Sequence, residues 1–337
     1  MATASASPSP AGDSIQLTTR HDRSLYTYII QVVTRPLRNY LGRPGKEQPE
    51  GSIQLTPHKS AYLGCAVDHR TVCGMHVYDI ISKMPAAQEV RKRIYYFSGG
   101  GWQSPPSSQH WHNCAKMARD VPGTTVSLVS YPLAPRNAAP TAFPWLMRFY
   151  RQVLETAYEE QERVVFVGDS SGANIVLSLV LEAVREDASA GANIGVKGAK
   201  GRPEAVVAIC PSTDLTRSNP DIEKLAKCDP ILTPKFVRQT AKAWHADWDP
   251  ADRRVSPVNA DIALLAQSGI QVHGITSSYD ILSPDGIIFR DRLAKEGVHG
   301  KWLHWEMQMH CFVLTQAYGV REAKEAIDWV MDVLKAE

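Results

Sequence analysis

Short apolar runs of strand length alternate with longer segments of helical periodicity over most of this 337-residue chain. Runs rich in β-branched, Leu and aromatic residues predict strands at 60–66, 73–80, 93–97, 124–130, 163–167, 205–210, 270–275 and 301–307. Apolar positions three and four residues apart predict helices at 109–119, 141–159, 172–186, 286–296 and 320–334. Strands and helices in this alternation form a parallel sheet covered on both faces. The pattern therefore predicts the α/β class.

An N-terminal segment, 24–41, has its own helical pattern. Its apolar residues recur at helical spacing, at Leu25, Tyr28, Ile29, Val32, Val33, Leu37 and Leu41. Pro36 must interrupt the helix because proline lacks the N–H that a helix interior needs. We expect a broken amphipathic helix that packs over the core as part of a cap. A membrane-surface anchor is the alternative.

A second segment, 211–258, interrupts the alternation of strands and helices. Within it, Thr233 and Pro234 form a helix start, with Thr233 as N-cap and Pro234 at the first helical position. We interpret this segment as a helical cap inserted into the main domain.

The stretch 164–180 places Ser170 between a strand-like apolar run and a helical one. Gly168 and Gly172 flank Ser170 in the spacing G-x-S-x-G, as in a nucleophile elbow. A strand that turns into a helix within two residues leaves no room for side chains at those positions. The turn would expose the Ser170 hydroxyl beside the helix N-terminus, which attracts anions. Ser170 is therefore the candidate nucleophile for acyl transfer, and a plain glycine turn is the alternative.

A serine nucleophile requires a base and a carboxylate that orients it. His310 follows the last predicted strand, at the sheet edge where such sites lie, whereas His304 falls within that strand. Asp280 follows the strand 270–275 and completes the order Ser, Asp, His. Asp285 is close enough in sequence to be the rival acid.

Three consecutive glycines, Gly99 to Gly101, follow the strand 93–97 and precede Trp102. Without Cβ atoms this backbone can approach a ligand closely. Rigid backbone N–H groups are the preferred donors to the oxyanion of an acyl-transfer transition state. Trp102 would form an apolar wall for the substrate, and a role in anchoring the loop is the alternative.

Charge and cysteine usage limit the classes of partner. The chain has 37 basic and 35 acidic residues and a formal net charge of +2, which gives no reason to expect nucleic acid as a partner. The six cysteines lack metal-ligand spacing, and the first residues lack the pattern of a signal peptide. No apolar run approaches the ~18 residues that span a bilayer. We expect a cytoplasmic protein with reduced thiols, no cofactor and no membrane insertion. A homodimer is compatible with the sequence.

Four motifs, in order, resemble those of the hormone-sensitive-lipase-like family of α/β hydrolases, the esterase and arylacetamide deacetylase type, over about residues 90–335. They are Tyr131-Pro-Leu-Ala-Pro135, Gly168-Asp-Ser-Ser-Gly172, Asp280-Ile-Leu-Ser-Pro-Asp-Gly286 and His310-Cys-Phe312. The resemblance implies Ser170 as nucleophile, His310 as base and Asp280 as its orienter. It also implies an oxyanion hole formed by the backbone N–H groups of Gly100, Gly101 and Ser171.

The chain departs from the family pattern at Ser98, where the family has the His of H-G-G-G. Ser98 cannot make the two-sided hydrogen bonds that brace the loop. Ala173, Pro284 and Arg136 also replace residues usual in their motifs. These departures bear on the substrate class more than on the fold.

The expected organisation is a disordered tail at 1–15, N-terminal cap helices at 16–50, and an α/β-hydrolase catalytic domain at 51–337 with the cap insertion at about 211–258. The expected function is cleavage of a carboxylic ester of a small, largely apolar molecule through an acyl-enzyme. One alternative is a specialised enzyme of metabolite biosynthesis that cleaves an amide or thioester or directs a condensation or cyclisation. The other is a ligand-binding module without catalysis.

Overall fold

The computed structural model describes residues 14–41, 46–84, 91–195 and 201–337. The strands of these residues are β1 (Ile15–Arg20), β2 (Cys65–Val72), β3 (Met75–Ser82), β4 (Lys92–Phe97), β5 (Thr124–Ser130), β6 (Arg163–Asp169), β7 (Ala205–Ile209), β8 (Gln271–Tyr279) and β9 (Gly300–Met309). The helices are α1 (Leu25–Thr34), α2 (Arg38–Leu41), α3 (Ser108–Asp120), α4 (Ala139–Glu159), α5 (Ser171–Ser189), α6 (Asp221–Leu225), α7 (Pro234–His245), α8 (Ala263–Ser268), α9 (Ser283–Lys295) and α10 (Arg321–Ala336).

All nine strands belong to one sheet, in the order β1, β9, β8, β7, β6, β4, β5, β3, β2. Neighbouring strands run parallel except at β3, which is antiparallel to both β2 and β5. The β2–β3 hairpin turns at Cys73 and Gly74, both with positive φ, as a two-residue hairpin turn requires. The predicted mostly parallel sheet of the α/β class is confirmed.

The core lies on both faces of the sheet because successive strand residues point to opposite sides. In β4, Tyr95 and Phe97 pack on one face, together with residues of α4 and α5. Ile94 and Tyr96 pack on the other, with residues of α3 and α10. Burial on both faces explains why the central strands are almost continuously apolar in sequence.

The N-terminal tail and cap differ from the expected division at residues 15 and 16. Residues 1–13 lie outside the described residues, but residues 15–20 form β1, which pairs in parallel with β9 at the edge of the sheet. The predicted start of the cap helices at 16 is therefore wrong, and the helices begin at Leu25. The strand was missed because its side chains are mostly exposed, so that its sequence is polar and lacks an apolar run.

The helix predicted in 24–41 is present as α1 and α2, joined by a 3₁₀ turn at Arg35–Leu37 that contains Pro36. Its packing differs from the expectation. The buried residues of α1 are Thr27 and Gln31, whereas its apolar side chains are largely exposed. Thr27 Oγ1 donates to Glu322 at 2.7 Å, and Gln31 Nε2 donates to the carbonyl of Met307 at 2.8 Å. Polar contacts therefore fix α1 on the domain.

The predicted strand at 60–66 is also wrong for most of its length. A 3₁₀ turn occupies Lys59–Tyr62, and the strand begins at Cys65. β2 carries Asp68, His69 and Arg70 because it is an edge strand whose side chains are mostly solvent-accessible. An apolar pattern could not locate it.

The segment between β7 and β8 contains α6, α7 and α8. Thr233 is the N-cap of α7, accepting a hydrogen bond from the N–H of Phe236 at 3.2 Å, and Pro234 is the first helical residue. No helix of the described residues is long and apolar enough to span a bilayer.

Candidate active site

Ser170 lies at the sharp turn between β6 and α5, with φ of 52° and ψ of −117°. This conformation is strained for a residue with a side chain. Close packing of backbone around Gly168 and Gly172 explains how the turn is held in it. A Cβ at Gly172 would lie 2.0 Å from the carbonyl oxygen of Phe97, and one at Gly168 would lie 2.5 Å from the backbone of Gly172. Side chains at positions 168 and 172 would therefore collide with the backbone, as the spacing G-x-S-x-G predicts for this turn.

Ser170, His310 and Asp280 form a continuous chain of hydrogen bonds. His310 Nε2 lies 2.9 Å from Ser170 Oγ, and His310 Nδ1 lies 2.8 Å from Asp280 Oδ2. Asp280 follows β8 and His310 follows β9, so the parallel strands bring both residues to the same edge of the sheet. The structure thereby brings the three predicted residues together.

The environment of His310 favours a protonated imidazole. Burial disfavours the charge, but the negative charge of Asp280 and its hydrogen bond outweigh this and raise the pKa of His310 to about 9. The other oxygen of Asp280 accepts the N–H of Leu282 at 2.8 Å, which fixes the carboxylate.

A second buried carboxyl group, Asp229, lies beside Asp280 and was missed in the sequence. Asp229 Oδ2 accepts the N–H of Ile281 at 3.0 Å, and Oδ1 accepts the N–H groups of Ile231 and Leu232 at 2.8 Å. Burial and the charge of Asp280 raise the pKa of Asp229 to about 7. The only sequence signal is an acid before Pro230, which is common in turns.

The rival base and acid have other partners. His304 lies within β9, and its Nδ1 is 3.0 Å from Thr276 Oγ1. Asp285 lies in the first turn of α9 and accepts a hydrogen bond from Asn219 Nδ2 at 2.7 Å. The contacts of His310 therefore favour Asp280 over Asp285 as the orienting acid.

The glycine loop, residues 98–102, follows β4 and runs past the elbow. The carboxylate of Asp169 accepts the N–H of Gly99. Gly100 and Gly101 have φ of 131° and 60°, and a Cβ at Gly101 would lie 2.8 Å from Thr240 Cγ2. Among the described residues, no acceptor pairs with the N–H of Gly100 or of Gly101. Both groups are thus free to donate to a ligand, as is the N–H of Ser171 at the first position of α5.

The Tyr131 segment, residues 131–135, holds the glycine loop at both ends. Tyr131 Oη donates to the carbonyl of Ser98 at 2.8 Å, and the N–H of Ala134 donates to the carbonyl of Trp102 at 2.8 Å. The Ser98 side chain is fully buried, and its hydroxyl has no hydrogen-bond partner among the described residues. The loop is therefore braced through its backbone, without the histidine that the family pattern has at 98.

The comparison with family models agrees with this geometry. Residues 94–314 match the model of a family described as having the alpha/beta hydrolase fold, and this range covers more than half of the chain. The chain belongs to the α/β hydrolase fold family. The α/β hydrolase membership expected from the four motifs is thereby confirmed. No curated protein matches this sequence.

Solved structures share the fold of this α/β hydrolase over nearly its whole length. Carboxyl esterase 2 of the mycorrhizal fungus Tuber melanosporum is 21% identical, with a TM-score of 0.73, and the match covers 94% of this chain and 99% of that chain. A hormone-sensitive lipase from a metagenome library gives the same four values. An esterase/lipase from an uncultured bacterium is 20% identical, with a TM-score of 0.70 and coverage of 92% and 97%. At this identity the likeness shows the fold.

Asp169, inside the elbow motif of the hydrolase, connects the elbow with the glycine loop and α3. Tyr96 Oη donates to Asp169 Oδ1 at 2.8 Å, and His110 Nε2 lies 3.2 Å from the same oxygen. Burial alone would raise the pKa of Asp169, but His110, Tyr96 and the Gly99 N–H together hold it below its usual value. Sequence reasoning missed this role because Asp169 occupies a variable position of G-x-S-x-G.

Trp102 has only 1% of its surface exposed and stacks on Trp244 of α7, with ring centroids 5.9 Å apart and an interplanar angle of 9°. This packing favours the interpretation that Trp102 anchors the glycine loop to the inserted segment. Its role as a wall of the substrate pocket stays a prediction.

Two thiols lie beside His310. The Sγ atoms of Cys210 and Cys311 and a ring nitrogen of His310 lie within 4.8 Å of one another, the one group in the described residues that could hold a metal ion. All six cysteines are free, and burial raises the pKa of the Cys311 thiol well above its usual value. Cys311 Sγ is 3.4 Å from His310 Nε2, the atom that contacts Ser170. A metal bound there would compete with Ser170 for this nitrogen.

Proposed function

We propose that this α/β hydrolase cleaves the carboxylic ester of a small, largely apolar substrate through an acyl-enzyme on Ser170. The proposal depends on one observation, the unbroken chain of hydrogen bonds from Ser170 through His310 to Asp280. A ligand-binding module does not need this arrangement, whereas a serine hydrolase does.

In the proposed first step, Ser170 Oγ attacks the acyl carbonyl while His310 Nε2 removes its proton. Asp280 stabilises the imidazolium through its contact with Nδ1. The backbone N–H groups of Gly100, Gly101 and Ser171 donate to the oxyanion. His310 then gives its proton to the leaving alcohol.

The second step repeats this chemistry with water. His310 takes a proton from a water molecule, which attacks the acyl carbon of the Ser170 ester. The tetrahedral intermediate collapses, the proton returns to Ser170 Oγ, and the carboxylic acid leaves. Each step uses the same donors and the same base, so one site completes the cycle.

Hydrolysis of p-nitrophenyl acetate by the Ser170→Ala variant tests the proposal. We expect a loss in kcat of about 10⁴- to 10⁶-fold, because the attacking atom is removed. Ser178→Ala is the matched control, since Ser178 lies on the same helix α5 with a buried hydroxyl that lacks a hydrogen-bond partner in the described residues. An organophosphonate probe should label the unaltered protein at Ser170, as read by mass spectrometry.

Near-normal hydrolysis by Ser170→Ala, or a folded protein that the probe does not label, would refute the acyl-enzyme. A panel of simple esters then separates the two catalytic hypotheses. Turnover of several short acyl chains supports a general esterase. Labelling of Ser170 without turnover of any of them favours the specialised biosynthetic reaction.

A further inference from the structure

Helix α1 has its polar face buried and its apolar face exposed. Thr27 and Gln31 are buried and form hydrogen bonds with the rest of the domain. Apolar residues at i, i+4, i+7 and i+8 form a stripe on the opposite face. Each of them has between 48% and 72% of its surface exposed: Leu25, Ile29, Val32 and Val33. The stripe therefore points away from the protein's own core.

The apolar patch consists of this stripe and four further side chains, which are 46% to 70% exposed: Tyr26, Tyr28, Leu37 and Tyr40. Its eight members are half of the sixteen large apolar side chains that are exposed among the described residues. A monomeric soluble protein rarely collects so many of them in one short segment, and such a patch marks an interaction site.

Three arginines border the patch on one side. Arg23, Arg35 and Arg38 line a cavity of about 440 Å³, which Tyr28 and Val32 of the patch also line. Among the described residues that line this cavity, none is an Asp or a Glu. A concave site with charge of one sign focuses a positive potential, which attracts anions.

The arginines keep their charge because their partners are neutral. In the part of the chain that the structure describes, none of the three forms an ion pair with a carboxylate. Arg23 donates to Gln31 Oε1 at 3.1 Å, and Arg38 donates to two backbone carbonyls. Arg35 is exposed and makes no hydrogen bond with any described residue. Arg35 is therefore the arginine most available to an anion.

A bilayer surface that contains anionic lipids satisfies both features at once. An interfacial helix places apolar and aromatic side chains at the acyl boundary and basic side chains at the headgroup phosphates. Tyrosine is enriched at this boundary because its ring is apolar and its hydroxyl polar. A free phosphate would fill the cavity but leave the stripe in water. A second copy of the chain, docked about a two-fold axis, would bring like-charged arginines towards each other.

We propose that the apolar patch docks the protein on the surface of a membrane that contains anionic phospholipids. The stripe lies among the acyl chains near the headgroups, and Arg23, Arg35 and Arg38 bind lipid phosphates. The helix lies in the plane of the surface, and its buried polar face keeps the domain attached to it. Of the two expectations for 24–41, the exposed apolar face thus favours the membrane-surface anchor. This docking goes beyond the proposed ester hydrolysis and does not depend on it.

Sedimentation of the full chain with lipid vesicles tests the proposal. The vesicles contain phosphatidylcholine alone, or phosphatidylcholine and phosphatidylserine at about three to one. We expect partitioning onto the anionic vesicles to be at least about tenfold stronger than onto phosphatidylcholine alone, because each arginine near the surface adds to the attraction. Added salt should remove most of this difference.

A double variant tests the apolar part of the patch. Leu25→Gln combined with Val33→Gln should lower partitioning onto the anionic vesicles by about tenfold or more, because two apolar side chains are no longer transferred from water. Both positions are exposed, so urea unfolding should match that of the intact protein. The matched control is Tyr158→Gln combined with Ile288→Gln, at two exposed apolar positions outside the patch, which should leave partitioning unchanged.

A charge variant tests the basic part. Arg35→Gln should lower partitioning onto the anionic vesicles about fivefold and change that onto phosphatidylcholine alone by less than about twofold. Arg148→Gln is the matched control, because it removes the same charge from an exposed position on α4 outside the cavity. Hydrogen exchange then locates the contact: the amides of residues 25–37 should exchange more slowly on anionic vesicles.

Several results would overturn the proposal. One is the absence of sedimentation with the anionic vesicles, and another is sedimentation that the Leu25 and Val33 double variant leaves intact. Equal partitioning onto the two kinds of vesicle, or an equal loss with Arg148→Gln, would overturn the assignment to anionic lipid. A dimer in solution that the double variant dissociates would assign the patch to a second copy instead. These measurements do not involve turnover, so they stand whether or not Ser170 cleaves an ester.

Discussion

The two sides of the candidate site are held in position by different kinds of contact. On the acid–base side, the side chains of Asp280 and His310 bind each other, and both are buried. On the oxyanion side, the contacts of Tyr131 and Ala134 reach backbone carbonyls of the glycine loop. The geometry of the acid–base side therefore depends on which side chains are present, whereas the geometry of the oxyanion side depends on the path of the backbone.

This difference explains how the oxyanion side can depart from its family pattern. A brace that acts on carbonyl groups does not depend on the side chain at 98, so Ser98 can replace histidine without releasing the loop. Asp169 adds a third contact, through the N–H of Gly99. The acid–base side depends instead on one contact between side chains, that of Asp280 with His310 Nδ1.

Asp280→Asn, on the acid–base side, should have the largest effect on kcat. The amide cannot stabilise the imidazolium and favours the wrong tautomer of His310, so kcat for p-nitrophenyl acetate should fall by about 10⁴-fold. Asp285→Asn is the control, since Asp285 is a buried acid that contacts Asn219. An equal loss in both variants would contradict the assignment of Asp280.

The pH dependence of kcat/KM should report the protonation of His310, and therefore the acid–base side of the site alone. His310 must be neutral to act as the base, and its pKa is raised to about 9. The value of kcat/KM for p-nitrophenyl acetate should therefore rise about tenfold per pH unit above pH 7 and reach half of its plateau near pH 9. A profile that is already flat at pH 7 would contradict the raised pKa.

Stability should change in the opposite direction over the same range. The pKa of His310 is higher in the folded protein than the ~6.5 expected in the unfolded chain. Its protonation therefore stabilises the fold fully below about pH 6.5, and this contribution is lost as the pH rises through about 9. Urea unfolding of the intact protein and of Asp280→Asn at several pH values should show this fall only where Asp280 is present.

Tyr131→Phe should have a smaller effect, and on the oxyanion side. It removes the donor to the Ser98 carbonyl and leaves that buried group unpaired, which costs about 1–3 kcal/mol of the free energy of unfolding. We expect kcat to fall about 3- to 10-fold with KM nearly unchanged, because the oxyanion donors act mainly in the transition state. Tyr150→Phe, at a buried tyrosine of α4, is the control. A fall in KM and kcat together would indicate a different role for the loop.

The same contrast separates what the sequence could predict from what it could not. Gly168, Ser170 and Gly172 were predictable because steric crowding in one short turn determines all three. Asp280 and His310 were predictable because parallel strands bring their carboxyl ends to one edge. The partnerships of Asp169 with Gly99 and of Tyr131 with Ser98 join residues far apart in sequence, and no local pattern indicates them.

The N-terminal region shows a different limit. Helical periodicity located α1, but it could not indicate which face would be buried, because the helix is held by Glu322 and the carbonyl of Met307. β1 was missed for a related reason, since an edge strand with exposed side chains carries little hydrophobic signal. Where polar contacts or backbone pairing hold an element, the apolar pattern is a poor guide.

Ser98→Ala should have the smallest effect and gives the sharpest test of the oxyanion side. The Ser98 hydroxyl is buried without a hydrogen-bond partner among the described residues. Removing it should therefore leave the free energy of unfolding unchanged or raise it by up to about 1 kcal/mol. Because Tyr131 binds the carbonyl of Ser98 and not its side chain, kcat should stay within about twofold. A loss in kcat as large as that of Tyr131→Phe would mean that the hydroxyl takes a partner during turnover, and that side chains matter on both sides of the site.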